Sequence, residues 1–168
     1  MQLLQGRVLV RFGDNVSTDD ITSAKYVIST VPVELAKICL RDLDPDFLSK
    51  MTGGGFLIAG RNFGCGSSRE WAPIALKAAG VKAVVAAEFA RIFYRNAINV
   101  GLPLLEYPDI LADTEVGDDL AIDLQAGTIA NRISGLVFQG IPLPEFLLAR
   151  MEMGGLAEYL RSSGARTR

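Results

Sequence analysis

The stretch Gly53–Tyr107, GGGFLIAGRNFGCGSSREWAPIALKAAGVKAVVAAEFARIFYRNAINVGLPLLEY, carries the reading of the fold. "GGGFLIAG" is glycine punctuation followed by apolar residues with no polar break, the mark of a strand buried on both faces. "WAPIALKAAG" is helical in composition and stops at Gly80. Pro73 is tolerated only in the first turn of a helix, which sets the predicted helix start near Ser67 or Ser68. "VKAVVAA" is a second short buried strand. "EFARIFYRNAINVG" is an amphipathic helix that again ends at glycine, and "LPLLEY" is a third apolar run. Strand, helix, strand, helix, strand predicts a parallel sheet joined by right-handed crossovers.

The flanks extend this core. "RVLVRFG" (Arg7–Gly13) alternates apolar and polar residues and reads as a strand. "DNVSTDDITSAKYVIST" follows as a long polar loop rich in cap-like residues. "PVELAKICLRDLD" has helical apolar spacing with Pro32 at its start, and "PDFLSKM" supplies further turns. Beyond Tyr107, "DLAIDLQAGTIAN" reads as a hairpin turning at Ala126-Gly127, "ISGLVFQG" as a strand, and "PEFLLARMEMGGLAEYLRSS" as helix. The tail "GARTR" is expected to fray. The predicted class is α/β: a mainly parallel central sheet flanked by helices, with a C-terminal hairpin and helix, in a single domain over residues 1–168.

Composition narrows the function. The chain has 168 residues, is 49% hydrophobic and carries a formal net charge of −2. A slightly acidic chain is not built to hold nucleic acid on a basic surface. No apolar run approaches a membrane span, and "MQLLQGRVLV" lacks the basic-then-apolar pattern of a signal peptide, so the expected location is the cytoplasm. With no histidine, the chain offers neither a Ser-His-Asp triad nor a His-ligated metal. Its two cysteines, Cys39 and Cys65, are not metal-spaced, and no structural disulfide is expected. Two thiols do not make a four-cysteine iron–sulfur ligand set, so such a centre would have to come from another chain.

"NFGCGSSREWA" (Asn62–Ala72) is where chemistry concentrates. A glycine-rich turn opening into a helix exposes unpaired backbone N–H groups that favour an anion. Gly64 and Gly66 permit close approach, and Arg69 can grip a carboxylate with two parallel hydrogen bonds. Three readings stand. Ser67-x-x-Glu70 has the spacing of a capping box. "GCGSSR" partly fits a dinucleotide-binding turn, or a non-catalytic module holding an anion or nucleotide, but Arg69 replaces the last small residue and no acidic residue ends the next strand. The third is a carboxylate site in which Ser67 acts as a base, its alkoxide held by N–H donors and a cation. Cys65 reads as a small packing residue.

"GDNVSTDDI", "GSSRE" and "FARIFYRNAINVGLP" in this order, followed by "GGLAEYL", resemble the small subunit of isopropylmalate isomerase (3-isopropylmalate dehydratase), the swivel domain of aconitase and the homoaconitase small subunit. The resemblance covers nearly the whole chain. It implies a swivelling β/β/α domain that closes over a large subunit holding a four-iron, four-sulfur cluster, with no metal or cofactor bound by this chain. The implied reaction is reversible dehydration, moving a hydroxyl between neighbouring carbons of a hydroxy-dicarboxylate in leucine biosynthesis.

Carried over by motif, Ser67 corresponds to the base, and Ser68 and Arg69 to groups that bind substrate carboxylate. Thr18, Asp19 and Asp20 match a loop approaching the active site. "KYVIST" (Lys25–Thr30) matches the specificity segment, where homoaconitase-like relatives present "YLRT". Tyr26 and Ser29 keep their places, and Ile28 stands where that arginine would be. An apolar side chain suits an isopropyl or methyl group and cannot compensate a third carboxylate. The implied substrate is therefore 3-isopropylmalate, with citramalate-type and dimethylmalate-type substrates and homoaconitate as alternatives. Trp71 departs from the histidine or glutamine common in relatives. Arg91 and Arg95, at i and i+4, read as solvated, structural or partner-contacting groups, and Asn96 and Asn99 as loop ties. The isolated chain is also free to self-associate.

Overall fold

The computed structural model describes residues 3–164. Strand β1 (Leu4–Arg11) leads into a loop holding the short helix α1 (Thr18–Ile21) and a 3₁₀ turn (Ala24–Tyr26). Helices α2 (Pro32–Ile38) and α3 (Phe47–Lys50) follow, and Pro32 opens α2 as expected from its missing N–H. Then come β2 (Gly55–Ala59), α4 (Trp71–Ala78), β3 (Val81–Ala86), α5 (Arg91–Asn99) and β4 (Leu104–Glu106). This is the strand–helix alternation read from the sequence. The chain continues through α6 (Ile110–Asp113), the hairpin β5 (Asp119–Asp123) and β6 (Thr128–Asn131), β7 (Val137–Gln139), α7 (Glu145–Glu152) and α8 (Leu156–Ser162). Residues 165–168 of the tail lie outside the described residues.

The seven strands form one sheet in the order β4-β3-β2-β1-β5-β6-β7. The β1–β4 half is parallel, and β5, β6 and β7 extend it antiparallel from the other side of β1. All five residues of β2 and five of six in β3 are buried, which is why these segments lack the alternation of a half-exposed strand. Gly55 lets β2 pass against β1: a Cβ there would lie 2.3 Å from Leu9 Cδ1. The C-terminal helical segment is broken at Gly154-Gly155, both with positive φ, into α7 and α8.

The parallel half places the functional loops. Strands β1, β2 and β3 point the same way, so the loops leaving their C-terminal ends emerge at one edge, the usual ligand-binding edge of such sheets. These loops are stitched together. Gly64 donates its N–H to Val16 O (2.7 Å), Thr18 to Cys65 O (2.7 Å), and Phe63 to Glu88 O (3.0 Å). Beneath them Phe63, Phe89 and Phe93 pack as a cluster, with Phe63 edge-on to Phe93 at 5.2 Å between centroids.

Candidate active site

Two asparagines set the register of the first two loops. Asn15 and Asn62 both adopt left-handed backbone, φ +61° and +56°, which asparagine tolerates better than most residues. Asn62 Nδ2 donates to Asn15 Oδ1 (3.0 Å), and Asp14 Oδ1 accepts the N–H of Arg61 (2.7 Å). The chain then turns through Gly64 (φ +81°) and Gly66 (φ +104°).

Ser67 does not cap a helix, and this corrects the expectation drawn from its spacing to Glu70. Helix α4 begins at Trp71, its N-cap residue is Glu70, and no side chain caps it. Pro73 still falls in the first turn, as its chemistry requires. The capping box forms instead in the other loop. Ser17 Oγ accepts the Asp20 N–H (3.0 Å), while Asp20 Oδ2 accepts the Ser17 N–H (2.8 Å). Asp20 is thereby engaged in ordering α1.

With its cap role gone, Ser67 is held by a residue 49 positions earlier. Its N–H donates to Thr18 Oγ1 (2.9 Å), and its Oγ lies 3.3 Å from the same oxygen. Thr18 is only 3% exposed and Ser67 is exposed. A buried hydroxyl therefore supports a serine that faces solvent. Ser68 is tied by its carbonyl, which accepts from Asn96 Nδ2 on α5 (2.9 Å), so Asn96 is the loop tie its sequence position suggested. Arg69 is exposed, with its guanidinium carbon 5.3 Å from the centre of the Trp71 ring, a cation–π contact. Trp71 thus carries the arginine that precedes it. Cys65 lies between the two glycines, half-buried, with Sγ 3.7 Å from Asn15 O. Cys39 is buried in the core, and burial pushes its thiol well above the ordinary cysteine range.

A pocket of about 790 Å³ opens beside the turn, lined by Gly64, Gly66, Ser68, Arg91, Arg95 and neighbouring residues. Arg91 and Arg95, expected from the sequence to be solvated, structural or partner-contacting groups, both stand at this pocket. Their i, i+4 spacing on the face of α5 next to Asn96 is the signal that brings them there.

The remaining loop residues form a separate group. A pocket of about 350 Å³ is lined by Lys25, Tyr26, Ile28, Ser29 and residues of the 34–41 segment, and shares no lining residue with the first. Ile28 is 91% exposed, so it does not pack into the domain. Tyr26 is engaged: its hydroxyl donates to Asp42 Oδ1 (2.8 Å), and Lys25 and Arg41 sit over its ring at 4.7 and 4.8 Å. The Lys25 hydrogen bond holds the Asp42 carboxyl below the usual carboxylate range. Ser29 Oγ accepts from Val31 N (3.2 Å), and Asp19 Oδ1 accepts from Ala24 N (3.2 Å), so both order the loop backbone.

Known proteins resemble this chain over nearly its whole length. The aconitase C-terminal domain family matches residues 47–109. The 2,3-dimethylmalate dehydratase small subunit of Eubacterium barkeri is 49% identical over 153 residues, 91% of this chain and 94% of that relative. The isopropylmalate/citramalate isomerase small subunit of Methanocaldococcus jannaschii is 49% identical over 163 residues, 97% of this chain and 96% of that one. A crystal structure of 3-isopropylmalate dehydratase from M. jannaschii superposes with a TM-score of 0.90 at 40% identity, covering 98% of this chain and 96% of the other.

Proposed function

The chain belongs to the aconitase family of hydro-lyases, among its 3-isopropylmalate dehydratase small subunits, and from that premise we propose that Ser67 is the base of a site completed by a large subunit. The observation that carries this reading is the exposed Ser67 hydroxyl seated 3.3 Å from the buried Thr18 hydroxyl. Thr18 Oγ1 already accepts the Ser67 N–H, and its own proton has two acceptors within reach, the Ser67 carbonyl (3.4 Å) and Ser67 Oγ, so that a charged Ser67 oxygen would draw it. A hydrogen bond to the deprotonated form favours that form. The separation is long for a hydroxyl pair, as catalytic hydrogen bonds often are before substrate and partner are in place.

In the reaction we propose, Ser67 Oγ takes the proton from the isopropyl-bearing carbon of 3-isopropylmalate while the C–O bond of the neighbouring carbon breaks, the hydroxyl departs and a double bond forms between the two carbons. It returns the proton when water adds back with the opposite regiochemistry, giving 2-isopropylmalate. Ser68 and Arg69 hold a substrate carboxylate, and Trp71 keeps the Arg69 guanidinium oriented. Among the described residues, no group of three or more His, Cys, Asp or Glu side chains converges as a ligand set. On the family reading a four-iron, four-sulfur cluster would be held by the large subunit, where it would supply Lewis acidity to the substrate hydroxyl. On this reading the isolated chain turns nothing over, and the complex works in the cytoplasm in leucine biosynthesis.

Overall identity does not choose the substrate, since relatives named for dimethylmalate and for isopropylmalate and citramalate are equally similar at 49%. The exposed Ile28 favours a small apolar substituent, and 3-isopropylmalate presents one. Reconstitution with the large subunit, followed by rates on isopropylmalate, citramalate, dimethylmalate and homoaconitate side by side, tests the choice. The expected order places isopropylmalate first and homoaconitate last. Ile28→Arg is expected to lower kcat/KM for isopropylmalate by about tenfold and to raise that for homoaconitate, since one apolar contact is worth about 1–3 kcal/mol. An unchanged preference would remove Ile28 from the specificity site.

Arg69→Lys keeps the charge but loses the planar fork and the stacking on Trp71. The expected result is a drop of about 10- to 100-fold in kcat/KM, the 1.4–2.7 kcal/mol typical of losing a charge-assisted hydrogen bond. Wild-type kcat/KM in Arg69→Lys would show that the guanidinium does not touch substrate.

A further inference from the structure

We infer that Arg91 and Arg95 are the docking point for a carboxylate-bearing segment of the large subunit, an inference that rests on the functional reading above. Both arginines are exposed on one face of α5, and among the described residues neither makes an ion pair. Two carboxylates lie nearby without forming an ion pair with either guanidinium. Glu88, on the rim of the same pocket, faces Arg61 at 3.9 Å, and Glu106 lines a second, smaller pocket together with Arg91 and Arg95 while its Oε1 accepts the Phe89 N–H (3.0 Å). Two guanidiniums one helical turn apart, in a chain of net charge −2, are left without an ion-pair partner among the described residues.

The geometry says what must cover them. Ser67 and Ser68 are exposed, so the site is closed only when another chain lies over the turn. Ser68 lines the same pocket as Arg91 and Arg95, and a chain covering one reaches the others. Burying an unpaired guanidinium is strongly unfavourable, so the covering surface has to bring carboxylates. Arginine matches such groups with its planar fork. Ile92 lines the pocket too and is half exposed, adding apolar contact beside the charges. Charge complementarity at a rim of this kind speeds encounter and sets orientation more than it adds to chemistry.

The test separates docking from catalysis. Association of the full-length chain with its large subunit is measured by calorimetry at low and high ionic strength, and turnover is measured at saturating large subunit. The double variant Arg91→Gln/Arg95→Gln is expected to weaken the complex about tenfold or more at low salt and to flatten its salt dependence. Its substrate KM and kcat at saturation stay within about twofold of wild type, because docking charges act mainly on association. Charge reversal, Arg91→Glu/Arg95→Glu, weakens association further, and circular dichroism confirms that each variant is folded. Unchanged association in both variants overturns the inference. So does unchanged association with a raised KM, which would assign the arginines to the substrate. A wild-type chain that forms no complex would instead defeat the functional reading itself.

Discussion

Ser67→Ala lowers kcat of the reconstituted enzyme by about a thousandfold, the middle of the range for losing a general base. The fold and the complex persist, because the Ser67 hydroxyl is exposed and the strongest bond the residue makes, N–H to Thr18 Oγ1 at 2.9 Å, belongs to its backbone. Substrate KM changes little, since Ser68 and Arg69 remain in place. A companion substitution sharpens the reading. Thr18→Val keeps the buried shape but removes a hydroxyl that both accepts the Ser67 N–H and faces Ser67 Oγ, and is expected to cost about tenfold or more in kcat, the size of one to two neutral hydrogen bonds. Full turnover by Ser67→Ala would end the base assignment, whereas a silent Thr18→Val would end only the account of how the serine is activated.

Gly64→Ala destabilises the chain by about 3 kcal/mol or more, combining overpacking with strain at a positive φ. A Cβ there would lie 2.1 Å from Phe93 Cγ and 2.4 Å from Phe93 Cβ, with φ at +81°. Phe93 cannot retreat, because it is buried and wedged edge-on against Phe63. For a chain of this length the midpoint of thermal unfolding falls by about 10 °C. Gly53→Ala is the control: its φ is +89°, yet nothing lies within 4 Å of the added Cβ. The difference between the two variants isolates the contact with Phe93, and equal losses would show that backbone strain alone is responsible. Because the turn at Gly64 also positions Ser67, residual Gly64→Ala protein is expected to reconstitute poorly.

Much of the fold was legible in the order of residues. The alternation from Gly53 to Tyr107 reads directly as β2, α4, β3, α5 and β4, since buried parallel strands are continuous apolar runs and the helices stop at Gly80 and Gly101. Where the reading missed, a local pattern had two sites to choose from. The capping-box spacing occurs at Ser17-x-x-Asp20 and at Ser67-x-x-Glu70, and only the first forms. The choice is made by long-range bonds. Thr18 donates its N–H to Cys65 O and receives the Ser67 N–H, which draws Ser67 away from the helix it would otherwise cap.

The periodicity of apolar residues and the placement of glycine and proline suffice to prescribe the layers of this molecule. Backbone hydrogen bonding and burial act over a few neighbouring residues, and each segment carries that information within itself. The Ser-Ser-Arg turn is likewise visible as a group of the right types. Which of those groups meet is another matter. The pairing of Ser67 with Thr18, the engagement of Asp20 in ordering α1, and the convergence of Arg91 and Arg95 on the pocket beside Ser68 all follow from parallel strands that release their loops at one edge. Those contacts span tens of residues, and no local spacing encodes them; they exist only once the sheet has assembled.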